Sequence, residues 1–250
     1  MNLDSDLFRD AELYDAQYGT LTKDLRFYRN LALQRGGPVL ELGVGTGRVG
    51  VEILKSGIAL VGIDRSQPML QKARQVFQPY EGKWKLLHGD FLDWSIDRKF
   101  PLVIAPFHSL QHVFGNKEMV GLFQKISQHL EDDGLFVFDL PHFRPESLSA
   151  NISPFLREIF FDEERNQRCE VWENATYDSK QQVKTSLWKY LWNDGATREV
   201  EMKVRVFFPE EWPLLMEAAG LRLQHCYGDF DRASFSPVSP KQILVCEPSR

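Results

Sequence analysis

The 250-residue sequence predicts an α/β fold: a doubly wound, mostly parallel seven-stranded sheet with a small antiparallel sheet inserted in it. Three observations lead there. Between Val39 and Asp139, short and nearly all-apolar runs alternate with helix-length stretches, the pattern of parallel strands covered on both faces. A glycine-rich turn closes the first of these runs. After residue 150 the texture changes to longer strand-like runs rich in aromatic and β-branched residues.

In chain order, residues 6–18 (DLFRDAELYDAQY) read as a helix, with Leu7, Phe8, Ala11, Leu13, Tyr14 and Tyr18 largely on one stripe. A second helix covers 21–34 and stops at Gly36-Gly37-Pro38. Strands follow at Val39–Leu42, Leu60–Ile63, Trp84–Leu87, Leu102–Ala105 and Leu135–Asp139, with helices over 47–56, 68–77 and 117–130. Right-handed crossovers make such a sheet doubly wound, with its binding site at the carboxyl ends of the strands. Residues 157–207 hold the strand-like runs of the inserted sheet, and Asn193-Asp194-Gly195 marks a hairpin. Both faces of Val183–Trp192 are partly apolar, which predicts cover on both. A helix over 209–219 ends at Gly220, and Leu221–Tyr227 and Gln242–Cys246 close the main sheet as an antiparallel pair. The expected division is a helical lid over 1–37, a ligand-binding domain from 38–150 and 208–250, and an inserted β subdomain over 151–207, a substrate cover or a homodimer interface.

Hydrophobic residues at 43% and charged residues at 26% fit a packed globular chain and exclude disorder as its main state. A net charge of −5 and no basic run argue against phosphate-backbone binding, so no nucleic-acid partner is expected. The amino terminus lacks the basic start and apolar stretch of a secretory signal. Apolar runs such as Pro101–Phe107 are too short to span a membrane, so no membrane partner is expected either. Cys169, Cys226 and Cys246 are scattered, without zinc-ligand spacing, which predicts reduced thiols, a cytoplasmic protein and no metal.

The chemistry centres on VLELGVGTGR, residues 39–48, where a strand runs into Gly43, Gly45 and Gly47 and then a helix. Glycines permit positive φ and close approach of a ligand, and the helix start offers unpaired N–H groups. Gly45-x-Gly47-x-x-Gly50, with Asp64 19 residues after Gly45, also fits a dinucleotide fingerprint and keeps a nicotinamide-dependent oxidoreductase in play. Glu41 at the strand tip speaks against it, because a carboxylate repels a pyrophosphate and tolerates a cationic ligand.

VLELGVGTGRVG, followed by LVGIDRSQPMLQKAR, LLHGDFLDW and LEDDGLFVFDL, resembles the class I S-adenosylmethionine-dependent methyltransferases, which are Rossmann-like, over about residues 38–140. The YDAQY segment and the inserted strands resemble, more loosely, a small-molecule branch that includes amino-sugar N-methyltransferases. The resemblance implies S-adenosylmethionine as cofactor, S-adenosylhomocysteine as product and a small-molecule methyl acceptor. It implies that Gly43, Gly45 and Gly47 lie under the methionine and ribose, with Glu41 acting through that loop. Asp64 would accept both ribose hydroxyls, or alternatively cap the next helix. Arg65 would flank the adenine and Met69 pack beside it, unless Met69 is core. Asp90 would accept from the adenine amino group, with Phe91 beside it, unless Asp90 is a turn residue. Tyr14 and Tyr18 would cap the cofactor or merely pack. Ala105, at the end of the fourth strand, would face the methyl group. It stands where nucleobase-amine methyltransferases place an amide or carboxylate, a departure that argues against nucleic acid.

His108 and His112 are four apart, so on a helical turn they share a face, and either imidazole can take a proton from an acceptor. The alternative is that His108 lines the pocket and His112 caps a turn. His142 and Phe143 are expected near the same pocket. Trp172, Trp188 and Trp192 read first as core or interface packing and second as a substrate wall. The sequence therefore predicts in-line methyl transfer to nitrogen or oxygen of a small molecule. The competing readings are a non-catalytic cofactor-binding protein and the oxidoreductase.

Overall fold

The computed structural model describes residues 6–148 and 151–249. The first five residues of the expected lid, the junction at 149–150 and the last residue lie outside the described residues. The main sheet holds seven strands in the order β10-β11-β5-β4-β1-β2-β3. These are β1 (Val39–Leu42), β2 (Leu60–Asp64), β3 (Trp84–His88), β4 (Phe100–Ala105), β5 (Leu130–Pro141), β10 (Leu221–Tyr227) and β11 (Lys241–Pro248). β1 to β5 run parallel, while β11 pairs antiparallel with both β5 and β10.

Alternate residues of each strand face opposite layers. Leu102 and Ile104 of β4 pack with Phe27, Leu31, Ile53, Leu70 and Phe77 from α2 (Lys23–Arg35), α3 (Arg48–Lys55) and α4 (Gln67–Phe77). Val103 and Ala105 face Met119, Phe123 and Trp212 from α5 (Asn116–His129) and α6 (Glu211–Glu217). The sheet is thus covered on both faces, as its apolar strands require. Gln242, fully buried on β11, ties α6 to the sheet by accepting from Trp212 Nε1 at 2.9 Å and donating to the Phe207 carbonyl at 3.1 Å.

The second sheet is a separate four-stranded antiparallel meander of β6 (Ile152–Asp162), β7 (Gln167–Asp178), β8 (Val183–Trp192) and β9 (Thr197–Arg205). Its inner face, with Val171, Trp188, Tyr190, Val200 and Met202, packs against Leu7, Leu13 and Tyr18 of the N-terminal segment. On the outer face Leu156, Ile159, Phe161, Trp172 and Leu187 are exposed in the single chain. The N-terminal helix differs from expectation. A 3-10 turn over Asp6–Arg9 precedes α1 (Ala11–Tyr18), because Asp10 breaks the run and caps α1, its carboxylate accepting from Leu13 N at 2.9 Å. Among the described residues no helix is long and apolar enough to cross a membrane.

Gly47 caps the start of α3 with φ +90°, and a Cβ there would sit 2.7 Å from the Phe77 ring. Gly47→Ala should therefore destabilise the fold by about 1–3 kcal/mol, combining left-handed strain and overpacking. Urea unfolding checks this, and an unchanged midpoint would refute the packing account.

Candidate functional site

A cavity of about 650 Å³ opens over the carboxyl ends of β1, β2 and β4, between the main sheet and the meander. Its floor is the glycine loop. Gly43 and Gly45 take φ of +74° and +55°, and a Cβ at Gly45 would meet nothing within 4 Å, so the loop presents bare backbone to the cavity. Asp64 clamps the loop: Oδ2 accepts from Gly45 N and Oδ1 from Ser66 N, both at 2.8 Å. A carboxylate has about four lone-pair sites, so each oxygen can still accept from a ligand hydroxyl. Burial raises the Asp64 pKa against these backbone bonds.

Glu41, 2% exposed, lines the cavity, and its Oε2 is buried with no hydrogen-bond partner among the described residues. Burial pushes its pKa well above the ordinary value, with Arg48 opposing. A buried, unpartnered carboxylate oxygen carries a desolvation cost that a cationic or donor-bearing ligand would relieve. Arg48 stands on the same floor, held in two-pronged contact with Asp24 of α2 at 2.8 and 2.6 Å.

The chain after β4 turns sharply. Phe107 and His108 both take left-handed φ, +52° and +65°, an uncommon conformation for non-glycine residues. Asp139, at the tip of β5, holds the turn: its Oδ1 accepts from Phe107 N at 2.9 Å and from the Tyr28 hydroxyl at 2.7 Å. Its Oδ2 lies 3.5 Å from His108 Nε2 and 3.9 Å from Lys241 Nζ. Lys241 Nζ is 3.0 Å from the same Nε2. An ammonium has only donors, so that ring nitrogen accepts and the ring proton sits on Nδ1. Burial first, then Lys241 and Arg157, lower the His108 pKa well below its usual value.

His112 sits on the same 3-10 turn, Ser109–His112, and also lines the cavity, edge-on to the Phe8 ring at 5.2 Å. Its Nδ1 is buried without a partner among the described residues. Burial pulls its pKa down to about 4, against a backbone hydrogen bond to Lys203.

The structure brings Tyr14, Tyr18, Glu41, Gly43, Gly45, Asp64, Arg65, Met69, Phe91, His108 and His112 onto one cavity. Three expected residues stand outside its lining. Gly47 is turned onto Phe77, and Ala105 is fully buried within the sheet. Asp90 accepts from Leu92 N at 2.9 Å and pairs with Arg65 at 3.4 Å. Of the pair after β5, Phe143 lines the cavity, whereas His142 Nδ1 lies 2.9 Å from the Ser239 carbonyl, outside the lining. Sequence reading missed Arg48, Phe107, Asp139, Arg157 and Lys184. Only Lys184 left a signal, as a cation on the same strand face as Ser186, Trp188 and Tyr190. No group of three or more His, Cys, Asp or Glu that could hold a metal occurs among the described residues.

A doubly wound sheet with a glycine loop under a cavity, and with acids on its first two strands, has the architecture of α/β proteins that bind ligands beyond the carboxyl ends of the strands. Residues 39–134 match the family described as a methyltransferase domain. The Bacillus subtilis (strain 168) protein YqeM is 22% identical over 247 residues, covering 96% of each chain. The dTDP-3-amino-3,6-dideoxy-alpha-D-glucopyranose N,N-dimethyltransferase of Streptomyces fradiae is 29% identical, over 56% of this chain and 55% of that one. The chain thus matches only about half the length of that relative. Among solved structures, the CcbJ methyltransferase of Streptomyces caelestis is similar with a TM-score of 0.83 and 25% identity, over 92% of this chain and 98% of that one.

The His112 shift makes stability depend on pH. Its folded pKa of about 4 lies below the unfolded value of about 6.5, so between these the unfolded chain binds the proton and the folded chain does not. The His112 contribution is complete above pH ~6.5 and is lost as pH falls, by up to about 3 kcal/mol near pH 4. Urea unfolding of wild type and His112→Gln at pH 7 and 5 checks this. The stability difference between them should shift in favour of the variant at pH 5, and a pH-independent difference would rule the account out.

Proposed function

We propose that the protein transfers the methyl group of S-adenosylmethionine to a small-molecule acceptor, at nitrogen or oxygen. One observation carries the reading: the unpartnered carboxylate of Glu41, the bare backbone at Gly45 and the Asp64 carboxylate share one cavity with a separate polar and aromatic wall. The residues fit the cofactor. Asp64 would accept from the ribose hydroxyls, Gly43 and Gly45 would let the backbone approach, and Met69 and Phe91 would flank the adenine. Glu41 favours a ligand with a positive centre and disfavours a pyrophosphate.

The cofactor supplies an electrophilic methyl group on a sulfonium. The chain's own residues align the acceptor and exclude water, which is where the rate of a displacement between two held partners comes from. Tyr14 and Tyr18 close the cavity from the N-terminal side, with ring centroids 5.1 Å apart, and Tyr18 lies at the same separation from Phe107. His108 and His112 are both held neutral, the state in which an imidazole can accept a proton. The amine substrate in the name of the Streptomyces fradiae relative supports nitrogen as the accepting atom.

Calorimetry tests the cofactor. Wild type should bind S-adenosylmethionine in the micromolar range, about 8 kcal/mol. Asp64→Asn and Gly45→Arg should each weaken binding at least tenfold, or about 1.4 kcal/mol. Unaltered affinity in both folded variants would sink the reading, as would enhanced NADH fluorescence with no S-adenosylmethionine binding.

The exposed outer face of the meander supports a homodimer. Leu156 pairs with Trp172 across β6 and β7, and Leu187 lies two positions along β8, so the apolar side chains form one patch. Sedimentation should give a dimer for wild type and a monomer for Trp172→Glu with Leu187→Lys. A monomeric wild type contradicts it.

A further inference from the structure

The meander's side of the cavity carries two cations that methyl transfer itself does not call for. Arg157 of β6 and Lys184 of β8 both line the cavity, and both bond one carboxylate, Glu173 of β7. Arg157 Nη1 donates to Oε2 and Lys184 Nζ to Oε1, each at 2.5 Å, while Ser186 Oγ donates to Oε1 at 2.6 Å. The Glu173 side chain is 0% exposed and lies behind the cations, outside the lining. Burial opposes its charge, but Lys184 and Ser186 outweigh burial and hold the carboxyl down to about 2. One hidden anion therefore fixes two cations in place. Arg157 is further set by Glu158, 3.2 Å from its Nε, and by the Trp188 ring, 4.6 Å from the guanidinium carbon. A planar guanidinium pinned on an aromatic face loses little freedom when it takes a ligand.

The carboxylates that line the cavity, Glu41 and Asp64, both stand on main-sheet strands, and the meander contributes none. Cations line it from both sides, Arg48 and Arg65 beside those acids and Arg157 and Lys184 on the meander, where no lining acid stands next to them. Glu173 and Glu158 steady the meander cations from outside the lining. Lys241 lies against His108.

We infer that the methyl acceptor is an anion, a small molecule whose carboxylate or phosphate group docks on Arg157 and Lys184 while its nucleophilic atom points to the strand tips. This rests on the methyl-transfer reading. Charge-assisted hydrogen bonds to a fixed pair of cations give both affinity and orientation. Arg157 and Lys241 already add to burial in opposing protonation of His108.

The test uses the full chain with and without S-adenosylhomocysteine, and three probes of one shape: 4-aminobenzoate, 4-aminophenyl phosphate and the neutral 4-aminobenzamide. Binding is followed by calorimetry and ligand-observed NMR. At least one anionic probe should bind tenfold or more tightly than the amide, and the two anionic arms show which group the pair prefers. Arg157→Gln and Lys184→Gln should each weaken that anion about tenfold and leave the amide unchanged. Glu173→Gln keeps the side-chain shape, frees both cations and should tighten the anion, an outcome that loss of folding would not produce. Equal affinity for charged and neutral probes, including none for either, overturns the inference. S-adenosylhomocysteine affinity, measured in the same samples, separates the two readings. Its absence sinks methyl transfer and leaves a cationic docking site. Its presence with indifferent probes sinks the docking site alone.

Discussion

The buried carboxylate of Asp139 joins four parts of the chain that are far apart in sequence. It receives the hydroxyl of Tyr28 from α2 and the backbone N–H of Phe107 from the turn after β4. Its second oxygen faces His108 and Lys241 without a hydrogen bond to either. The turn it holds contains two successive non-glycine residues in left-handed conformation. Each costs on the order of 1–3 kcal/mol unless its surroundings enforce it. Without the Phe107 bond, the turn would relax and His108 and Phe107 would leave their places on the cavity. A buried charge held by two donors and facing two basic groups is costly to build and costly to break.

The sheet and the meander contribute different groups to the cavity. The strand tips offer acids and bare backbone beside Arg48 and Arg65, and the meander offers Arg157, Lys184 and aromatic rings without an acid. Neither half is complete alone, because the cavity is walled by residues from both and by the N-terminal segment. Several contacts lock these parts together. Ser66 Oγ donates to the Phe8 carbonyl, Tyr190 to Gln17 Oε1 at 2.8 Å, and Arg198 pairs with Asp10.

Local pattern made the frame legible. Strands such as Val39–Leu42 carry an apolar run with no competing reading, and Asn193-Asp194-Gly195 makes its hairpin with Gly195 at φ +84°. The glycine loop and Asp64 were legible because their spacing is short and their backbone demands are specific. What escaped is tertiary. Asp139 looks like any residue at a strand end until folding brings Tyr28, 111 positions away, to its side. Arg157 looks like a surface cation on a strand until Glu173 and Trp188 gather it. Asp90 stayed open between two roles because an acid after a strand serves a turn as readily as a ligand, and its bond from Leu92 N is compatible with both. The outer face of the meander stayed open for another reason. Apolar character predicts that a surface wants cover, and does not say whether this chain or another supplies it.

The N-terminal segment buries Leu7, Leu13 and Tyr18 against the meander, each less than a tenth exposed. Leu7 and Tyr18 also line the cavity, so the segment that packs on the meander is one of its walls. Freeing side chains of this kind costs about 1.5–3 kcal/mol apiece in apolar exposure. Any opening of that wall is governed by packing between the N-terminal segment and the meander rather than by groups at the strand tips.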